Sequence, residues 1–146
     1  MVLRRTSHAV YDICYHMVWC PKYRKKLFVE ERLRERAGEL FREISEEYGW
    51  EIEEMEVARE HIHLLCSCPP RYAIADVVRI LKSKSARVLF REFPGLRRKL
   101  WAGELWEDGY FVRTVGDRMT SEVIERYIRS HRELEQGPAQ LVLKLR

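Results

Sequence analysis

The sequence predicts an α+β fold, with an antiparallel sheet covered on one face by two helices. Four apolar stretches have the two-residue alternation, or the β-branched and aromatic content, that is typical of strands. Two longer stretches repeat their apolar residues every three or four positions, as amphipathic helices do. These stretches follow one another as strand, helix, strand, strand, helix, strand, and this order predicts the fold class.

The composition is that of a globular chain. With 146 residues, 46% of them hydrophobic, the chain can bury a core and is too apolar to be disordered. We expect one domain over 1–146, with a core at about 9–116, a further helix at about 118–135 and a tail at 136–146. No apolar run reaches membrane-spanning length and the first residues lack a signal peptide, so we expect a cytoplasmic protein with no membrane partner.

The first element is a strand at 9–20, where residues alternate between two faces before Pro21 ends the stretch. The loop that follows is basic and holds one aromatic residue, Tyr23. A loop of this kind suits single-stranded nucleic acid, because bases stack on aromatic rings and phosphates pair with cations. Lys22 and Arg24 are therefore candidate DNA contacts.

A helix at 29–48 and a strand at 50–57 come next. Apolar residues repeat along one side of this helix at Val29, Leu33, Ala37, Leu40, Phe41, Ile44 and Tyr48. Gly49 is a natural stop for the helix, because glycine readily takes the left-handed conformation of a helix end. In the strand the apolar phase slips between Ile52 and Met55, which indicates a bulge.

The second half of the chain begins with a strand at 61–68, joined to the preceding strand by a tight turn as a hairpin. A Pro-Pro pair ends this strand, and apolar periodicity then predicts a helix at 73–93. Residues 96–109 have no clear period and are expected to form a loop. A fourth strand is predicted at 110–115, which is rich in aromatic and β-branched residues.

The first six elements match the split βαβ plan of the ferredoxin-like fold. In this plan both helices cover one face of the sheet, and the open face is a frequent nucleic-acid platform. The third helix, at about 118–135, falls outside the six-element plan, and residues 141–145 predict a short terminal strand.

Two histidines of the third strand, His61 and His63, are candidate metal ligands. Side chains two apart on a strand point to the same side, so the two imidazoles stand together while Ile62 and Leu64 face the other way. Imidazole binds Mn, Zn and related ions, and a divalent ion held here would polarise a phosphodiester. The alternative is a pair of partly buried histidines with ordinary hydrogen bonds.

A second pair, Tyr127 and His131, lies in the predicted third helix. Residues four apart share one face of a helix, so a hydroxyl nucleophile and a third metal ligand could be delivered together. A phenol has a pKa near ~10 and needs a nearby cation in order to attack phosphorus. The product would be a covalent phosphotyrosine, which retains the energy of the phosphodiester. The alternative is an ordinary tyrosine on a helix surface.

Four cysteines, Cys14, Cys20, Cys66 and Cys68, form no C-x-x-C motif. The last two have the strand parity of Ile62, opposite to that of the histidines, so they cannot easily share one metal ion with them. In a chain without a secretion signal, free thiols in the core are the favoured interpretation over disulfides or a zinc site.

The net charge of +4 is modest, but basic residues concentrate in and after the second helix. Between positions 79 and 99 the chain has eight basic residues and one acidic residue. This density suits a polyanion such as nucleic acid, and it makes Lys82, Lys84, Arg87 and Arg91 candidate phosphate contacts. The alternative is a helix face that is simply solvated.

Four stretches of this chain resemble the single-tyrosine HUH transposases of the insertion-sequence 200/605 type, which move as single-stranded DNA. They are YHMVWCPKYRKKLF near the start, HIHLL with the histidine pair, DGYFVRTVG before the third helix and ERYIRSH with the tyrosine. The histidine pair alone is a weak signal. The four stretches together, in this order and spacing, run almost the whole chain and are specific.

The resemblance implies a metal-dependent transposase that recognises DNA hairpins near the ends of its element, cuts one strand and rejoins it. It makes Tyr127 the nucleophile that joins the 5′ phosphate and releases a 3′ hydroxyl, and it makes His61 and His63 ligands of Mg²⁺ or Mn²⁺. The position four beyond the tyrosine, often glutamine in this family, is His131 here. His131 is expected to be the third ligand, and His16 or Glu60 is the alternative.

The partners that the resemblance implies are single-stranded DNA with hairpin ends and a second copy of the chain. In such homodimers the helix of one subunit completes the active site of the other. Other functions stay open: a domesticated repeat-associated HUH nuclease or a replication initiator would share the chemistry. A non-catalytic nucleic-acid-binding module would explain the basic helix but not the histidine and tyrosine pairs, and a metal-storage or sensor protein would explain the histidines but not the basic charge.

Overall fold

The structure is a computed structural model, and it describes residues 3–100 and 103–115. The contacts group residues 13–114 into one compact unit, and residues 3–12 and 115 belong to another. In the second of these, β1 (Arg4–Arg5) and β2 (Val10–Tyr11) pair antiparallel as a small hairpin. The predicted third helix and the predicted strand at 141–145 lie outside the described residues.

The unit formed by residues 13–114 is built on an antiparallel sheet of four strands. These are β3 (Tyr15–Trp19), β4 (Glu51–Val57), β5 (Ile62–Ser67) and β6 (Phe111–Thr114), in the order β4-β5-β3-β6. The chain passes from β3 to β4 through α1 (Glu31–Tyr48) and from β5 to β6 through α2 (Ile74–Glu92). This order and pairing confirm the predicted ferredoxin-like topology.

The core lies between one face of this sheet and the two helices. The strands contribute Met17, Trp19, Ile62 and Leu64, which are buried. The helices contribute Leu33, Ala37, Leu40, Phe41 and Ile44 from α1 and Val77, Val78, Leu81 and Leu89 from α2. Because successive residues of a strand face opposite sides, burial of the strand positions turns His16 and His63 toward the open face.

The first predicted strand, expected to run unbroken over 9–20, is divided in the structure. Residues 10–11 pair with Arg4–Arg5, and only Tyr15–Trp19 join the four-stranded sheet. Alternation of apolar residues continues through both pieces, so it could not reveal that they belong to different sheets. The strand with which a segment pairs depends on residues that are distant in the sequence, whereas the alternation pattern reports only local structure.

The bulge predicted in β4 is confirmed by its pairing with β5. Ile52 lies opposite Cys66, and the register shifts before Glu54 lies opposite Leu65. The extra residue lets Ile52 and Met55 both face the helices although they are three positions apart, an odd spacing that a regular strand would place on opposite faces. Glu54 and Glu56 are consequently directed to the open face.

The start of the first helix differs from the prediction, and its end agrees with it. Val29 belongs to a short 3₁₀ turn, Leu27–Val29, and is 57% exposed, so its assignment to the apolar side was wrong. Gly49 has a φ of 76°, and its backbone N–H donates to the carbonyl of Glu46. Glycine takes this conformation without the steric cost that a β-carbon would add.

The segment predicted as a loop, 96–109, contains a one-turn helix, α3 (Leu96–Lys99). Further along, Trp106 is buried, and its indole N–H donates to Ser85 Oγ at 3.0 Å. Trp106 also forms a β-bridge with Pro21. Aperiodic segments can be ordered when their anchors are a few large side chains, and period analysis does not detect such anchors.

Free thiols are confirmed for all four cysteines, three of which are buried. Cys66 Sγ and Cys68 Sγ lie 3.9 Å apart on the core side of β5. The hydrogen bond with Cys68, together with burial, raises the pKa of the Cys66 thiol well above its ordinary value. The Cys66 thiol therefore stays protonated, which suits a packing role and not metal binding or nucleophilic chemistry.

Candidate metal centre and nucleic-acid surfaces

His63 occupies the centre of the open face of the sheet. It lies in β5 between Ile62 and Leu64, which are both fully buried, so its own side chain faces outward. Its register neighbours are Val18 on β3 and Glu56 on β4. The sequence predicted that the imidazoles of His61 and His63 stand side by side on the face opposite Ile62 and Leu64, and the orientation of His63 agrees with that prediction.

His61 comes immediately before β5, at the turn that joins β4 to β5. Its carbonyl accepts a hydrogen bond from the backbone N–H of Ala58 at 2.9 Å, which closes the turn. One ring nitrogen, Nδ1, lies 3.6 Å from Glu60 Oε1, and the other, Nε2, lies 3.9 Å from Glu56 Oε1. The imidazole is about one-third exposed and has a carboxylate beside each nitrogen.

His16 brings a third imidazole to the same face. Its ring centroid lies 4.1 Å from that of His63, with the planes inclined by 38°. Burial, the neighbouring His63 and Arg113 together lower the pKa of His16, so its ring is neutral near pH 7. Its Nε2 is buried and has no hydrogen-bond partner among the described residues. The sequence offered His16 only as an alternative ligand, because the pairing of β3 with β5 was not known.

The remaining residues of this face were not singled out from the sequence. Glu54 and Glu56 border, together with His63, an open cavity of about 360 Å³. On the other side of His16, the strand β6 places Arg113 opposite it, and the ring of Phe111, which is 54% exposed, lies 6.5 Å away. Only the strand order, β4-β5-β3-β6, brings these side chains to one surface.

The open face carries imidazole and carboxylate groups of the kind that bind metal ions. Neutral imidazoles and carboxylates are suitable ligands for Mn²⁺ and, through the oxygens, for Mg²⁺. Within 3–100 and 103–115, however, no three histidine, cysteine or acidic side chains are grouped so that they could hold an ion. A metal site on this face would therefore need a further ligand from outside these residues. The two residues predicted to complete the site, Tyr127 and His131, lie outside the described residues.

The candidate DNA contacts after β3 differ in their surroundings. Lys22 Nζ lies 3.0 Å from Glu104 Oε2, and this contact raises the pKa of the lysine. Arg24 is exposed and has a φ of 52°, in the left-handed region. Lys22 is therefore already paired with a carboxylate, whereas Arg24 is presented to solvent.

The candidate DNA contacts on α2 divide in the same way. Lys82 Nζ donates to the carbonyls of Glu107 and Gly109, at 2.8 and 2.6 Å, and burial lowers its pKa. Lys84 Nζ lies 3.2 Å from Glu47 Oε1. Arg87 and Arg91 are exposed and make no hydrogen bond or ion pair with any residue that the structure describes.

A groove of about 650 Å³ runs between α2 and the segment 103–110. Its walls include Arg79, Arg87, Phe90, Trp106 and Tyr110. The groove was not predicted, because the segment that forms one wall has no periodicity in the sequence.

No helix among the described residues is both long and apolar enough to cross a membrane.

A model of the family described as IS200-like transposases matches residues 9–131. The chain belongs to the IS200-like transposase family. This confirms the resemblance drawn from the four sequence stretches. The match includes the positions of His61, His63, Tyr127 and His131.

Individual members of this family are similar over most of the chain. The ISDra2 transposase TnpA of Deinococcus radiodurans is 40% identical over 126 residues, which is 86% of this chain and 89% of that protein. The transposase for insertion sequence element IS200 of Salmonella typhimurium is 33% identical over 135 residues, 92% of this chain and 87% of that protein.

Two solved structures are similar in fold. A crystal structure from Deinococcus radiodurans, of a protein assigned as a transposase, has a TM-score of 0.70 at 35% identity and covers 87% of this chain and 96% of that one. A REP-associated tyrosine transposase bound to a REP hairpin has a TM-score of 0.53 at 13% identity, over 94% of this chain and 75% of that one. The second likeness concerns the fold alone.

Proposed function

We propose that this IS200-like transposase is a metal-dependent enzyme that cleaves and rejoins single-stranded DNA at the ends of an insertion sequence, through Tyr127. The observation that carries the proposal is the outward-facing His63, with His61 at the adjoining turn, in a chain whose family match extends through Tyr127. An open sheet face that combines imidazoles, carboxylates and an exposed aromatic ring suits a metal-assisted reaction on a nucleic acid.

The donor chemistry of the face fits Mg²⁺ or Mn²⁺. His61 and His63 would hold the ion, with His131 as the third ligand and Glu60 or His16 as the nearest described alternatives. When bound, the ion would polarise the scissile phosphodiester and offset the negative charge that grows on its oxygens. A cation would also reduce the repulsion that Glu54 and Glu56 exert on a DNA phosphate.

The tyrosine supplies the covalent step. The phenolic oxygen of Tyr127 bonds to phosphorus as the bond between phosphorus and the 3′ oxygen breaks, and the proton lost by the phenol is balanced by the one gained by the departing 3′ hydroxyl. Tyr127 then holds the 5′ phosphate. Attack by a 3′ hydroxyl on this linkage reverses the step and reseals a strand, so no external energy source is consumed.

Phosphate contacts to a DNA hairpin are assigned first to Arg87 and Arg91, because both guanidinium groups are exposed. Arg24 is assigned in the same way to the single strand. Lys22, Lys82 and Lys84 were predicted as further contacts, but each would have to give up a partner within the protein in order to bind phosphate. Each phosphate contact should increase the salt dependence of binding. For a duplex stem, the slope of log K against the logarithm of the salt concentration should steepen by about 0.9 per contact.

The enzyme is proposed to act as a homodimer in which one subunit supplies Tyr127 to the histidines of the other. This arrangement can be tested by mixing two inactive variants, Tyr127→Phe and His63→Ala. If the sites are shared, the mixed dimer contains one site with both an intact tyrosine and an intact histidine pair, and cleavage returns. If each subunit uses its own tyrosine, the mixture stays inactive.

The decisive experiment incubates the full chain with single-stranded DNA from the flanks of its own gene and with Mn²⁺ or Mg²⁺, followed by a denaturing protein gel. A band shifted by covalent DNA, present with the wild type and absent from Tyr127→Phe, is expected. His63→Ala should lose the band while keeping most of its DNA affinity. DNA binding without an adduct on any suitable substrate would instead indicate a non-catalytic nucleic-acid-binding module.

A further inference from the structure

The basic loop after β3 has a strained backbone at its tip. Tyr23 and Arg24 have φ angles of 63° and 52°, and they are the only described non-glycine residues with positive φ. A β-carbon makes this left-handed region unfavourable, so two successive residues here carry a steric cost that glycine would avoid. Strain of this kind persists only where the surrounding structure enforces it, and it is concentrated at functional sites.

The loop is held firmly on either side of this tip. The backbone N–H of Lys22 donates to the carbonyl of Leu105 at 2.8 Å, and that of Phe28 donates to the carbonyl of Arg59 at 3.1 Å. The backbone N–H of Arg24 donates to the carbonyl of Pro21 at 2.8 Å, which closes the turn itself. The strained conformation is therefore fixed by contacts outside the tip.

The anchors also place the loop beside the candidate metal centre. Trp19, the last residue of β3, pairs with Ile62, so the chain leaves the sheet next to the start of β5. The bond from Phe28 to Arg59 joins the end of the loop to the turn that carries His61, two residues further on. The loop thus begins and ends at the edge of the sheet where His61 lies.

The tip presents a ring among cations. Tyr23 is 53% exposed, and Lys22 Nζ lies 5.8 Å from its ring centroid. Arg24 and Lys26 are exposed on the same loop. Glycine would form the same turn at less cost, and the exposed part of the Tyr23 ring is open to a ligand. Aromatic rings between cations suit unpaired bases with their phosphates.

We propose that Tyr23 is a stacking platform for an unpaired DNA base next to the scissile phosphate, with Arg24 bound to the adjoining phosphate. This inference rests on the proposed function and adds to it the residue that orients the single strand. The strained turn fixes the ring before DNA arrives, so that little ordering is needed on binding.

The test uses the full chain in EDTA, which prevents cleavage, and a (dT)15 oligonucleotide with one central 2-aminopurine. Binding by the wild type should change the fluorescence of the stacked base. Tyr23→Ala should weaken binding by roughly 5- to 150-fold and abolish the fluorescence change, while Tyr23→Phe keeps both. Affinity for a blunt duplex of the same length should not change.

Tyr23→Gly is the matched control, because it removes the ring and also relieves the backbone strain. Equal losses in the alanine and glycine variants support stacking. A loss confined to alanine, a loss in phenylalanine equal to that in alanine, or unchanged binding in all variants would overturn it. The covalent adduct is measured separately. If the adduct forms but the Tyr23 substitutions do not change DNA binding, this inference alone is wrong. If the substitutions change DNA binding but no adduct forms, only the transposase mechanism is wrong.

Discussion

Lys82 offers a clear test of whether a predicted DNA contact is instead a structural brace. Its ammonium donates to the carbonyls of Glu107 and Gly109 and so ties the segment 103–110 to α2. A hydrogen bond with a charged donor contributes about 1.5–3 kcal/mol, but carbonyls near the surface regain water when the donor is removed. We therefore expect Lys82→Met to lower the free energy of unfolding by about 1–3 kcal/mol in total.

The free energy would be measured by urea unfolding, monitored by the fluorescence of the buried Trp19 and Trp106. Arg87→Met is the matched control on the same helix, since this arginine is exposed and makes no hydrogen bond or ion pair within the described chain. It should leave stability nearly unchanged and reduce the salt slope of hairpin binding by about 0.9. The brace is refuted if Lys82→Met behaves like Arg87→Met in both measurements.

Two further predictions concern stability. Arg36 Nε lies 2.7 Å from Glu92 Oε1, and this ion pair lowers the pKa of Glu92. The contribution of the ion pair to the free energy of unfolding is therefore complete above the ordinary carboxyl pKa of 4.5. It is lost as the pH falls through the lowered pKa. Arg36→Gln should therefore be less stable than the wild type at pH 7, with the difference vanishing in acid; a difference that persists when Glu92 is protonated would contradict this. Gly38 lies in α1, and an added β-carbon would come within 3.1 Å of Met55 Cε, the movable end of a flexible side chain. Gly38→Ala should raise the thermal midpoint slightly, because alanine favours a helix by roughly 0.5–1 kcal/mol over glycine. Gly38→Val should lower the midpoint. Equal midpoints for the two variants would show that Met55 does not limit the space.

Local patterns accounted for most of the fold. The period of α1 and α2, the stop at Gly49 and the phase slip in β4 are all written within short windows, where burial on one side of an element dictates the residue types. The topology followed from the order of these elements, because few arrangements bury two helices on an antiparallel sheet.

What the sequence did not reveal depends on contacts between distant positions. The division of the first strand depends on residues 10–11 pairing with Arg4–Arg5. The approach of His16 to His63 depends on the register between β3 and β5. The brace from Lys82 depends on a segment without periodicity. In each case the residue types permit several partners, and only the folded chain selects one.

The bulge in β4 has a consequence for how this chain compares with its relatives. Glu53 is the surplus residue between two ladder positions, and its carboxylate accepts a hydrogen bond from the Cys14 thiol at 2.7 Å. A homologue that lacks position 53 would keep every other side chain of β4 on its present face. A one-residue deletion elsewhere in β4 would instead turn glutamates toward the helices and apolar residues toward the open face. Length variation along this edge should therefore fall at position 53, and a gap placed there in an alignment has a structural meaning.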